Sequence, residues 1–121
     1  MSAQLKSHWL SVPDYLAFEE SSEIKHEYIN GEIYAMAGTS VRHNRIVGNL
    51  YTRLLERMRG SPCEVFFVDV KLHLQQLRQD IFYYPDVMVC CDPQDREPYY
   101  RTRPCLVVEV LSSGTARIDQ R

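Results

Sequence analysis

Apolar and polar positions change period several times along this chain, and each change marks an element. At Ser11-Val12-Pro13-Asp14 a capping hydroxyl, a proline at a helix start and a first-turn acid stand in order, which predicts a short helix over residues 13–20. Two strand-prone runs follow, Glu27-Tyr28-Ile29 and Glu32-Ile33-Tyr34-Ala35-Met36, separated by Asn30-Gly31. A type I′ turn needs positive φ at both central residues, so Asn-Gly here predicts a tight β-hairpin. Helical spacing is clearest further on, where Ile46, Val47, Leu50, Tyr51, Leu54, Leu55 and Met58 form one continuous apolar stripe. Thr39 or Ser40 can cap that helix, and Gly60 followed by Pro62 ends it.

From residue 63 to 74 the period falls to two. Phe66, Val68, Val70, Leu72 and Leu74 share one face, and Phe67, Asp69, Lys71 and His73 take the other, predicting one continuous strand. A second strand is predicted over residues 81–91 and a third over 105–111; the apolar run 106–111 suits a strand buried on both faces. Residues 75–80 form a connection of hairpin size, and 92–103 a polar, proline-containing surface loop. Ser112-Ser113-Gly114-Thr115 marks the approach to another helix. No internal repeat or low-complexity segment is visible.

Composition narrows this picture only slightly. The 121 residues suffice for a single small domain, and a hydrophobic fraction of 45% with 25% charged residues is ordinary for a soluble globular protein. Fourteen Lys and Arg against sixteen Asp and Glu give a net charge of −2, so attraction to nucleic acid requires a local patch. The long helix supplies a candidate: Arg42, Arg45, Arg53, Arg57 and Arg59 stand against one acid, Glu56. They form either a solvated outer face or a phosphate-facing surface. The N-terminus lacks the apolar core of a signal peptide, and no run approaches the roughly 18 apolar residues that span a bilayer. A cytoplasmic location without membrane association is therefore expected. Cys63, Cys90, Cys91 and Cys105 lie in or beside apolar runs without C-x-x-C spacing, and are expected to be free buried thiols.

Two acids carry the candidate chemistry. Asp86 opens the apolar run Pro85-Asp86-Val87-Met88-Val89-Cys90, and Glu109 interrupts Leu106-Val107-Val108-Glu109-Val110-Leu111. A carboxylate in such a setting must be protonated, paired with a cation or bound to a metal, because leaving it ionised and alone is costly. Taken singly, Asp86 can be a turn cap and Glu109 an arginine partner. As a pair on adjacent strands they can converge on one ion, and hard oxygen ligands suit Mg²⁺ or Mn²⁺.

The order of motifs extends this reading. A hairpin carrying Glu27-Tyr28-Ile29-Asn30-Gly31-Glu32, a helix opened by His43-Asn44, then Pro85-Asp86-Val87 and Val107-Val108-Glu109-Val110-Leu111-Ser112 resemble the Uma-type restriction endonuclease family of bacteria, a branch of the PD-(D/E)XK nuclease superfamily. The similarity runs from about Val12 to the C-terminus; each motif is short, and their order and spacing carry the match. It implies an α/β (α+β) fold of the restriction-endonuclease type: a mixed sheet core with flanking helices and an N-terminal β-hairpin. It also implies Mg²⁺- or Mn²⁺-dependent hydrolysis of DNA phosphodiester bonds, with Asp86 and Glu109 as metal ligands and Glu27 or Glu32 as an outer one. His43 aligns with a histidine typical of the family, yet it also falls on the apolar stripe, four residues before Val47, as a core histidine would.

The chain departs from the superfamily pattern at Leu111, where the motif has a lysine. Related families carry that lysine on the following helix. Lys71, on the polar face of its strand, is the best internal substitute for orienting the attacking water; otherwise it is a surface lysine. Set against the family, residues 1–121 read as one incomplete domain lacking cover for part of its sheet. Exposed apolar surface then favours a homodimer. A catalytically inactive nuclease-fold module acting in oligomers or with a partner is the alternative to an endonuclease.

Overall fold

The computed structural model describes residues 2–4 and 9–111, and the chain forms two compact units, each with its own sheet. The first comprises Met1–Gly38 and Leu72–Tyr83, the second Thr39–Lys71 and Tyr84–Arg121. Among the described residues the architecture is α+β, with two helices and an N-terminal hairpin, in line with the class that the resemblance implies. The helix approach expected at residues 112–115 lies outside the described residues.

In the first unit the strands β1 (Ser2–Gln4), β2 (His26–Ile29), β3 (Glu32–Met36), β5 (Lys71–Gln76, from Leu72 onward in this unit) and β6 (Gln79–Tyr83) lie in the order β1-β3-β2-β6-β5, and these neighbours pair antiparallel. The β2–β3 turn is the Asn-Gly turn expected: Asn30 has φ 46° and Gly31 φ 98°, with Ile29 opposite Glu32. Gly31 is required twice over, because a Cβ there would stand 2.5 Å from the Trp9 ring. Helix α1 (Val12–Ser21) starts at Ser11, whose side chain accepts from the Asp14 amide, with Pro13 in the first turn. It buries Tyr15 against Tyr28 and Phe82, with ring centroids 4.8 and 5.3 Å away, and the Tyr15 hydroxyl donates to the His26 carbonyl. The buried Glu19 carboxylate accepts from both the backbone amide and the Nδ1 side of His26, so this polar pair is satisfied within the core.

The second unit holds β4 (Glu64–Phe67), β7 (Val87–Cys90) and β9 (Leu106–Val108), in the antiparallel order β4-β7-β9. Helix α2 (Val41–Met58) covers this sheet. Val47 packs with Val65, Val87 and Val89, and Leu50, Tyr51, Leu54 and Met58 close around them. Burying an aliphatic side chain of this kind contributes about 1.5–3 kcal/mol, which explains why the helix lies on the sheet along this stripe. Ile46 and Leu55, at the stripe's margins, are 40% and 42% exposed, so the buried face is narrower than the full apolar set. In the loop leading to β9, the buried Asp95 carboxylate accepts from the Thr102 amide and hydroxyl and the Arg103 amide. Within the same loop lies the short strand β8 (Tyr100–Arg101).

Besides the strand predicted over residues 81–91, which divides into β6 and β7 in different sheets, three sequence expectations are corrected here. Residues 63–74 do not form one strand. Val68 has φ 46°, and the Asp69 amide bonds back to the Phe67 carbonyl at 2.6 Å, so the chain turns sharply between β4 and β5. A β-branched residue with positive φ leaves no pattern signal, since the alternation of apolar residues continues through it. Secondly, the cysteines are not all free thiols. Cys63 and Cys91 are joined in a disulfide just outside the register pair Glu64↔Cys90, whereas Cys90 is a buried free thiol and Cys105 an exposed one. Thirdly, the run 106–111 is not buried on both faces: among the described residues β9 is at the edge of its sheet, and Leu106 and Leu111 are 43% and 53% exposed.

Candidate functional site

Within the second unit, Asp86 lies just before β7 and is anchored through its backbone, whose carbonyl accepts from the Val68 amide at 3.1 Å. Its side chain is 18% exposed. One carboxylate oxygen, Oδ2, accepts from the Val110 amide at 2.7 Å and stands 3.2 Å from Nε2 of His43. The same Nε2 stands 2.7 Å from the Val110 carbonyl oxygen. A carbonyl only accepts, so Nε2 must carry the hydrogen. His43 Nδ1 is buried with no partner among the described residues.

Local sequence puts the histidine there. Ser40 caps α2, its hydroxyl accepting from the His43 amide at 3.0 Å, so His43 occupies the first turn with a fixed backbone. Three chain segments far apart in sequence thereby meet at one donor: the start of α2, the approach to β7 and the exit from β9. His43 had two readings from sequence, a core residue or a family site residue. The structure places it beside the principal candidate carboxylate. The Val110 backbone carried no signal beyond its position next to Glu109.

Glu109 follows β9 immediately, one residue beyond the last register pair, Val87↔Val108, while Asp86 immediately precedes β7. The two acids therefore flank the same end of one strand pair. Glu109 is exposed, however, so the cost of burying a charge, which drew attention to it in the sequence, does not apply. Glu27 belongs to the first unit, half-buried on β2 and opposite Tyr34 of β3; Glu32 accepts a hydrogen bond from the Tyr34 hydroxyl. Lys71 is not a surface lysine. It is 7% exposed, and its ammonium lies 5.5 Å from the Tyr84 ring centroid and 6.0 Å from that of Tyr99. Cation–π attraction of this kind offsets part of the cost of burying the charge.

Among the described residues no three His, Cys, Asp or Glu side chains cluster as a ready-made metal cage. The donor chemistry nevertheless suits one class of ion. Asp86 Oδ2 and the Val110 carbonyl are hard oxygens close enough to share a single N–H. Mg²⁺ characteristically takes one or two carboxylates and fills its remaining positions with water rather than with a protein cage.

Comparison with known proteins places these residues in a wider group. The Uma2 family model, described as "Putative restriction endonuclease", matches residues 12–121. The uncharacterized protein slr1290 of Synechocystis sp. (strain ATCC 27184 / PCC 6803 / Kazusa) is 42% identical over 112 residues, which is 92% of this chain and 58% of that protein. A second uncharacterized protein of the same organism, sll1609, is 35% identical over 114 residues, covering 92% of this chain and 63% of its own length. The chain thus spans about three fifths of the length of these curated relatives.

Proposed function

Because the chain belongs to the Uma2 restriction endonuclease family, we propose that its second unit carries a divalent-metal site for hydrolysing DNA phosphodiester bonds. The observation that supports this most is the convergence of Asp86 Oδ2 and the Val110 carbonyl on one donor, the Nε2–H of His43. Asp86 and the Val110 carbonyl would hold the ion, with Glu109, across the same strand end, as a further oxygen ligand. A bound Mg²⁺ or Mn²⁺ would supply Lewis-acid activation and a more acidic water.

The chain's own residues have separable tasks. The Val110 amide fixes the orientation of the Asp86 carboxylate by bonding Oδ2. His43, held by the Ser40 cap, keeps the two oxygens together through a single hydrogen. Lys71, whose ammonium lies over the Tyr84 and Tyr99 rings, would be the cation that orients the attacking water.

Metal titration tests the site directly. Mg²⁺ or Mn²⁺ should raise the melting temperature, because a ligand bound only to the folded state stabilises it by roughly 2.7 kcal/mol at a hundredfold excess over Kd. Asp86→Asn keeps an acceptor for the Val110 amide but removes the charge, and should abolish the shift together with metal-dependent nicking of supercoiled DNA. No shift up to millimolar metal would sink the site.

A second reading, an inactive oligomeric module of the same family, draws support from the edge strand β9. Leu106 and Leu111 are about half exposed at or beside it, and an apolar edge favours pairing with a second copy. We infer a two-fold homodimer on this ground for either reading.

A further inference from the structure

We propose that the outer face of α2 is the surface that docks the phosphate backbone of duplex DNA, through Arg42, Arg45, Arg53 and Arg57. This rests on the nuclease reading for its partner, but not on the metal. At 3.6 residues per turn the four side chains fall within about a third of the helix circumference, along roughly 22 Å of its axis. All four are exposed, and none forms an ion pair with a described residue. Asn49 shares the face, and so does Glu56, the helix's one acid.

The placement contradicts what the helix needs for its own stability. Arg42 sits in the first turn, at the positive end of the helix dipole, and that turn contains no acid. Arg42 and Arg45 are three residues apart and Arg53 and Arg57 four apart, spacings at which like charges repel. Only Arg57, in the last turn, is where the dipole favours a cation. A polyanion lying along this face would turn each of these unfavourable terms into a favourable one.

Three features favour duplex DNA over other anions. The cations are all arginines, whose planar forks match phosphate bidentately. A membrane would need an apolar face to insert, but that of α2 is already packed on Val65, Val87 and Val89, and the arginine face offers it only the partly exposed Ile46. Finally, Arg42 directly precedes His43, so the row of charges begins beside the candidate metal site and would bring a phosphodiester towards it.

The test is the salt dependence of binding to a short fluorescent duplex by the 121-residue chain in EDTA. With about four phosphates neutralised, log affinity should fall with log salt at a slope of about −3 to −4. Arg45→Gln with Arg53→Gln should reduce that slope by about 2, whereas Arg45→Lys with Arg53→Lys should keep it. Melting curves establish that the variants fold, and single Arg53→Gln serves should the double variant not. A glutamine variant that keeps the wild-type slope, or equal binding to vesicles of anionic phospholipid, would overturn the proposal, as would failure of the wild type to bind at low salt. Because EDTA removes the metal, these outcomes are independent of the Asp86 titration, which can fail while this surface stands.

Discussion

Among single residues, His43 and Cys90 show how position in the fold gives a side chain its chemistry. His43 is the donor to two oxygens at the meeting point of three segments. Replacing it with alanine leaves the Val110 carbonyl without that donor and Asp86 with one bond fewer. His43→Ala should therefore lower the free energy of unfolding by about 1–3 kcal/mol in urea melts. Cys90 is 5% exposed, and burial, reinforced by the charge of Asp95, pushes its thiol from 9.0 to about 11. A raised value means the folded state keeps its proton longer than the unfolded chain does. The associated stability is thus complete below pH 9 and is lost as pH rises towards 11. Between about pH 8 and about pH 10 unfolding should become easier by about 1 kcal/mol, and Cys90→Ala should flatten that dependence. Chemical denaturation at the two pH values measures it; an unchanged slope in the variant would remove Cys90 as the cause.

Among the elements, α2 and the first hairpin were legible because their signals are local. The Ser40 cap, the apolar stripe and the Asn30-Gly31 turn each lie within a few residues of what they determine. Gly48 is the position of α2 that contradicts its own helix: it is exposed, and an added Cβ would meet nothing within 4 Å. Gly48→Ala should accordingly raise stability by about 0.5–1 kcal/mol, read as a higher melting temperature, since glycine loses more backbone freedom on folding than alanine. The Cys63–Cys91 bond clamps β4 to β7 across a sequence separation of 28. Cys63→Ser should cost about 3 kcal/mol through the freedom returned to the unfolded chain. Thermal melts with and without reductant provide the check, and wild-type protein indifferent to reductant would show that the bond contributes nothing. The failed strand over residues 63–74 belongs here too. Its alternation satisfied a period-two pattern on both sides of Val68, and pattern alone cannot register one residue with reversed φ.

Across the molecule, two units interleave in sequence, with residues 72–83 inserted between β4 and β7 of the second unit. Light scattering at micromolar concentration tests the homodimer: a mass of twice 14.2 kDa is expected, reduced towards the monomer by Leu106→Lys, and a folded wild-type monomer would refute it. The class of the fold, both helices, the hairpin, the order of the acids and the arginine-rich face could all be read from the linear chain. The helices and the hairpin follow from caps, turn residues and periodicity, which act over a few residues, whereas the class of the fold came from the family resemblance. The family resemblance likewise rested on linear order, and the match over residues 12–121 agrees with it. Only packing established that His43 meets Asp86 across 43 positions and that the Val110 carbonyl joins them. Packing also established that Cys63 faces Cys91, that Lys71 is enclosed by tyrosines and that Glu109 stays exposed. Each of these depends on strand register and on which face of an element is covered, and neither is set until distant segments pack together.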